Sequence, residues 1–198
     1  MTSSTTKEQE LKLALPRADD LSVLLSGLPV PSEVVEQRNH YFRDPEGALA
    51  KRRWMVRVRE ERQEGQDKIS GVLLTLKHRT RVERGYFQAQ EVECSLPVED
   101  WNQVLSGSMN LMDLRVEPLE TIRSLGILHV DLNARMTNVR HRVLHGGFCL
   151  ELDLTTFPGD VREAEVEVET DRPEEARLLL LTLADELGVQ LTEQTRGK

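Results

Sequence analysis

Aromatic side chains are scarce in this 198-residue chain, where Phe, Tyr and Trp together make up 4% of the residues. Two cysteines, Cys94 and Cys149, are too few for a disulfide framework or a cysteine zinc site, and they read as buried thiols. Long apolar runs are missing as well. The richest segment, "ARLLLLTLADELG", is interrupted by polar residues, and nothing approaches the roughly 18 apolar residues that span a bilayer. The opening "MTSSTT" lacks the apolar core of a signal peptide. These absences lead to the expectation of a cytoplasmic protein with no membrane partner and no evident obligate protein partner. Neither GxxxxGK[ST] nor GxSxG occurs, which removes phosphate-loop and nucleophile-elbow chemistry. Positive charge is not in excess either. With 34 acidic and 26 basic residues the formal net charge is −8, so sequence-independent binding to a nucleic acid polymer is not expected.

What the chain does have is charge in a pattern of period two. Alternating segments lie at Glu8 to Leu15, Arg38 to Phe42, Arg53 to Arg59, Val72 to Arg79, Phe87 to Cys94, Ile127 to Leu132, Asn138 to Leu144, Phe148 to Thr155 and Arg162 to Thr170. These nine candidate strands, divided by turn residues, predict an antiparallel sheet, sandwich or barrel. Helical spacing interrupts them in "DDLSVLLSGLP", "PVEDWNQVLSG" and "PLETIRSLG". The strongest helix follows Thr170, with Asp171 and Glu174 placed as a capping box and Gly188 past its end. With no repeat, linker or composition break, the expectation is one α+β domain over residues 1–198, residues 1–6 forming a disordered tail.

In an extended chain, residues two apart share a face. Glu8, Glu10 and Lys12 therefore oppose Leu11, Leu13 and Leu15. Glu163, Glu165, Glu167 and Glu169 oppose Ala164, Val166 and Val168, and Glu151 and Asp153 oppose Leu150, Leu152 and Leu154. Arg57 and Arg59, Lys77 with Thr75, and Arg140 and Arg142 repeat the arrangement with the opposite sign. A solvated sheet face mixes signs, whereas these faces sort into acidic pairs and basic pairs, as the interior of a charged barrel would. Two carboxylates about 5 Å apart repel by roughly 3 kcal/mol at an effective dielectric near 20, so such an interior calls for a counter-charge. All-oxygen ligands select a hard cation, Mg2+ or Mn2+, and the facing guanidinium groups match phosphate oxygens.

In order along the chain, "EQELK", "QRNHYFRDP", "RRWMVRVRE", "LLTLK", "TNVRHRV" and "LELDLTTFPGDVREAEVEVET" resemble the successive motifs of the CYTH superfamily, the triphosphate tunnel metalloenzymes. The likeness is greatest to the short plant-type tripolyphosphatases. This resemblance implies an eight-stranded antiparallel β-barrel, a tunnel for a linear triphosphate, with a few surface and C-terminal helices. It implies metal ligation by Glu8, Glu10, Asp153, Glu165 and Glu167 and phosphate binding by Lys12, Arg57, Arg59, Lys77 and Arg140. Catalytic roles would fall to Glu165, Glu151 and Lys198. The sequence departs from the family pattern at Arg43, where relatives carry aspartate, with Asp44 adjacent, and Glu91 and Glu93 align ambiguously.

The implied activity is divalent-metal-dependent hydrolysis of the terminal phosphoanhydride of a triphosphate, with inorganic tripolyphosphate favoured because few aromatics are available for base stacking. The alternatives are a thiamine triphosphatase, a class IV adenylate cyclase, or a non-catalytic polyphosphate-binding module. Trp54 is expected to pack rather than to stack on substrate, and His141 with His145 lacks a third metal ligand.

Overall fold

Alternation of charged and apolar residues builds eight long strands: β1 (Ser3–Leu15), β2 (Glu33–Arg43), β3 (Trp54–Gln63), β4 (Gly71–Glu83), β5 (Tyr86–Ser95), β6 (Asp131–His145), β7 (Phe148–Phe157) and β8 (Val161–Glu169). The computed structural model describes residues 3–195. Hydrogen bonding runs in the order β5-β4-β3-β2-β6-β7-β8-β1, and β5 also pairs with β1, so the strands form a closed antiparallel β-barrel. A ninth, two-residue strand, β9 (Thr192–Glu193), adds to the other edge of β1. The helices are α1 (Asp20–Ser26), α2 (Ala48–Lys51), α3 (Val98–Ser106), α4 (Glu117–Ser124) and α5 (Pro173–Glu186), with a single 3-10 turn at Leu111–Asp113.

Several local expectations are corrected. Residues 3–6, expected as a disordered tail, belong to β1, where Thr5 and Thr6 suit extended backbone. The separate strand at Ile127 to Leu132 does not form. Ile127 and Val130 are buried before β6 begins at Asp131, because their apolar side chains serve the core rather than a sheet face. Helix α5 opens with Pro173 in its first turn and no side-chain cap; the hydroxyl of Thr170 instead accepts a hydrogen bond from the backbone N–H of Arg172 at 2.9 Å. Proline lacks one of the N–H donors that a cap would satisfy. Cys94 is buried, but Cys149 is exposed, since it alternates with the buried Phe148 and Leu150.

The chain divides into two compact units, each with its own core. The first comprises Gln37–Thr80, Ala89–Met136 and the start of β1 up to Lys7. Val56 and Val58 from β3, Leu74 and Leu76 from β4 and the fully buried Trp101 from α3 pack there with Leu119 and Ile122 from α4. The second comprises Glu8–Glu36, Arg81–Gln88 and the chain from Thr137 onward. Its core joins Leu11, Leu13, Leu150, Leu152, Val166 and Val168 to Leu24 of α1 and Leu180 of α5. Each such side chain contributes about 1.5–3 kcal/mol through removal of apolar surface from water. On β1, β3, β4, β7 and β8 these contacts occupy the apolar side of the alternation and leave its other side facing away from the core. Between β6 and β7, Gly146 and Gly147 both have positive φ, which the two-residue hairpin turn demands.

One ionic group lies on the core side of the first unit. Glu60 accepts hydrogen bonds from Arg62 Nη2 at 2.6 Å and Trp101 Nε1 at 3.1 Å, and it meets His40 Nε2 at 2.9 Å. Burial would raise its carboxyl, but the bonds from His40, Trp101 and Arg62 outweigh burial and lower it to about 2. A carboxylate depressed in the folded state contributes stability that is fully present above the ordinary glutamate range and is lost as pH falls toward the folded value. Urea unfolding between about pH 6 and pH 2 is therefore expected to show an acid limb that flattens in Glu60→Gln. Glu60→Ala, which strands Arg62, is expected to cost about 3–5 kcal/mol at neutral pH.

Candidate functional site

Within the second unit the strand register turns the sequence's like-charge pairs into ordered rows. Arg142 of β6 faces Glu151 of β7, Glu151 faces Glu167 of β8, and Glu167 faces Lys12 of β1. One row along, Arg140 faces Asp153, Asp153 faces Glu165, and Glu165 faces Ala14. Both rows begin base, acid, acid; only the first closes with a second base. The charge sorting seen strand by strand is thus mixed across strands, where one acidic pair lies between two cations and the other has a cation on one side.

The side chains complete what the register begins. Arg140 donates to both oxygens of Asp153 at 2.7 Å each and to Glu167 at 2.6 Å, and it also bonds Glu151. Lys12 lies 3.0 Å from Glu10 and donates to Glu167. Arg142 donates to Glu151 at 3.0 Å and also reaches Glu33. Glu10, Lys12, Arg140, Asp153, Glu165 and Glu167 are all buried, and Asp153 is 0% exposed. Burial alone would lower the Lys12 ammonium, yet the fields of Glu167, Glu10 and Glu165 hold it well above the ordinary lysine range. The same balance, set by Asp153 and Glu167, raises Arg140. Both stay cationic at neutral pH.

Oxygens of Asp153, Glu165 and Glu167 lie within 4.8 Å of one another. Three buried carboxylates so close repel by several kcal/mol in total, and their donor set is that of a hard divalent cation. Of the five ligands expected from sequence, these three converge. Glu10 is engaged with Lys12, and Glu8, two residues back on β1, is half-buried. Among the cations expected to hold phosphate, Lys12 and Arg140 sit within this cluster, bound to carboxylates. Lys198 lies outside the described residues.

The first unit carries a second charged face. Thr75 Oγ1 donates to Glu93 at 2.8 Å and accepts from Arg57 at 3.4 Å. Arg59 donates to Asn39 at 3.1 Å and lies 4.0 Å from Glu61, while Lys77 meets Glu91 at 2.9 Å. Of Glu91 and Glu93, which motif alignment left open, Glu91 is the counter-ion of Lys77 and Glu93 holds the Thr75 hydroxyl that Arg57 meets. Asp44, beside the divergent Arg43, serves the backbone. It accepts from the N–H groups of Ala48 and Leu49 at 2.7 and 2.8 Å, and these bonds lower its carboxyl although burial opposes them. Trp54 packs against the first core and lies 5.7 Å from the His78 ring, in keeping with its expected packing role.

Sequence reasoning did not select Arg142 or Gln194. Arg142 was detectable from its alternation with Arg140. Gln194 had no such signal: its amide donates to Glu165 at 3.3 Å from a segment that falls outside every periodic run. Arg140→Leu, which removes the cation shared by Asp153, Glu151 and Glu167, is expected to destabilise the chain by about 3–5 kcal/mol. Thermal unfolding in the presence of a chelator measures this without any metal contribution.

The sequence profile of the CYTH domain matches residues 6–196. No curated protein matches the chain. Among solved structures, HpAC1 from Hippeastrum, described as a candidate adenylyl cyclase with a dominant triphosphatase activity, is similar at a TM-score of 0.81 and 24% identity over 96% of this chain and 92% of that one. A candidate adenylate cyclase from Bacillus halodurans is similar at a TM-score of 0.72 and 21% identity, over 97% and 96%. PH1819 from Pyrococcus horikoshii is similar at 0.57 and 18%, over 94% of each chain. At these identities the likeness is one of fold. No described helix is long and apolar enough to cross a membrane.

Proposed function

The chain belongs to the CYTH domain family, and on that premise we propose that it hydrolyses the terminal phosphoanhydride of a linear triphosphate, inorganic tripolyphosphate foremost, with a divalent metal. The observation that carries this reading is the convergence of Asp153, Glu165 and Glu167 beside Lys12 and Arg140. The triphosphatase activity described for HpAC1 supports it. So does the low aromatic content, 4%, which offers little for stacking a base.

Asp153, Glu165 and Glu167, with Glu8 and Glu10, would hold Mg2+ or Mn2+, which supplies Lewis-acid polarisation of phosphate oxygens and neutralises their charge. The protein's own groups do the rest. Lys12 and Arg140, kept protonated by the surrounding carboxylates, present N–H donors to phosphate oxygens. Arg57, Arg59 and Lys77 are assigned the same role from the motifs that contain them. Lys12 and Arg140 thereby fix phosphate oxygens for in-line attack. Glu165 or Glu151 accepts a proton from the attacking water as its oxygen bonds the terminal phosphorus. The bridging P–O bond breaks, and its electron pair leaves with pyrophosphate, whose charge Lys198 is assigned to offset.

Phosphate and pyrophosphate release from tripolyphosphate, thiamine triphosphate and ATP, each with Mg2+, Mn2+ or Ca2+, tests the assignment. Fastest turnover is expected on tripolyphosphate, abolished by chelation and restored by Mg2+ or Mn2+. Cyclic nucleotide formed from ATP would replace the hydrolase reading with a cyclase, and tight binding without turnover would replace it with a binding module. Glu165→Gln is expected to lower turnover by about 10²–10⁴-fold with the protein still folded by circular dichroism. Wild-type activity in that variant would remove Glu165 from the mechanism. Arg57→Ala is expected to raise KM more than it lowers kcat.

A further inference from the structure

The segment that follows α5 returns to the charged rows. After Gly188 the chain adds β9 to β1, with Leu13 opposite Glu193 and Ala14 opposite Thr192. The backbone N–H of Gln194 then donates to the carbonyl of Lys12 at 3.2 Å, while the N–H of Lys12 donates to the carbonyl of Gly85 at 2.7 Å. Both main-chain groups of Lys12 are thereby engaged along one edge of β1. At Gly85 φ is +74°, and a Cβ there would lie 2.7 Å from the Lys12 carbonyl, so the close approach requires glycine. Arg177 of α5 ties down the same segment, donating to Glu193 at 3.2 Å and to the carbonyl of Arg84.

This anchored strap delivers one side chain to the acidic cluster. The Gln194 amide nitrogen donates to Oε2 of the buried Glu165 at 3.3 Å, and its oxygen accepts from the N–H of Thr195 at 3.1 Å. With the oxygen so used, the amide presents its N–H side to the carboxylate. Gln194 and Glu165 both border a cavity of about 600 Å³ that Ala14, Thr155, Phe157 and Glu163 also line. A carboxylate ligand is oriented by the hydrogen bonds it accepts, and loss of such a partner typically weakens metal binding by about 10–100-fold.

We propose that Gln194 is a positioning residue: its amide orients Glu165 for a divalent cation, and the strap of β9, Arg177 and Gly85 holds Gln194 in place. The assignment rests on the metal-binding reading of Asp153, Glu165 and Glu167 and adds to it a residue from outside the barrel strands.

Mn2+ binding to the substrate-free full chain, followed by titration calorimetry and by the Mn2+ electron paramagnetic resonance spectrum, provides the test. Gln194→Met preserves the length of the side chain and removes the N–H donor. It is expected to raise the Mn2+ dissociation constant about tenfold with an unchanged melting temperature, as is Gln194→Ala. Arg177→Ala is expected to shift affinity in the same direction through the strap. Wild-type affinity in Gln194→Met overturns the role of the amide. Equal affinity losses that merely track lowered melting temperatures also overturn it, since they report stability alone. Failure of the wild-type chain to bind Mn2+ overturns the metal site itself and this proposal with it.

Discussion

Neutralisation of buried carboxylates by two cations is the interaction on which the second unit depends. Glu151, Asp153, Glu165 and Glu167 project from adjacent strands, and such a group leaves water only if positive charge accompanies it. Arg140 meets three of the four, and Lys12 joins Glu167 to Glu10. The arrangement is costly to desolvate and contributes little net stability. What it provides is position: a planar guanidinium fixed bidentately on Asp153 sets the carboxylates at defined separations. The same cations that make the site foldable are the groups a polyanion would engage, so structural and functional demands fall on the same atoms.

The apolar half of the strand pattern makes this possible. Leu11, Leu13, Leu150, Leu152, Val166 and Val168 alternate with the charged residues and pack with α1 and α5, so burial of one face holds the other in register. A slip of one residue would carry every charge into that core. In the first unit β3 follows the same rule with one exception. Glu60 and Arg62 occupy core-side positions, where His40 and Trp101 satisfy them. That network is structural, although from sequence alone it is indistinguishable in kind from the residues of the functional face.

Much of this was legible in the chain. Period-two alternation located the eight long strands, though it began β1, β2 and β6 late, and the order of the charged motifs carried the likeness to the CYTH family that the profile bears out. Misreadings occurred where a local signal competed with packing. Leu128, Val130 and Leu132 alternate like a strand, but Ile127 and Val130 fill a core ahead of β6. Asp171 and Glu174 spell a capping box, but Pro173 starts α5 without one. Cys149 is hydrophobic in type yet lies on the charged side of β7, where it stays exposed.

The sequence by itself determined which residues share a face, because the pleat repeats every two residues whatever the surroundings. From that alone came the charged face, the apolar face and the chemical type of ligand. Only the tertiary structure decided which charges meet. Register between strands is fixed by contacts between residues far apart in the chain, and it set Arg140 against Asp153 and Lys12 against Glu167. It also brought Gln194 to Glu165 across 29 positions, a contact that no local periodicity encodes because it depends on where the chain returns after its last helix.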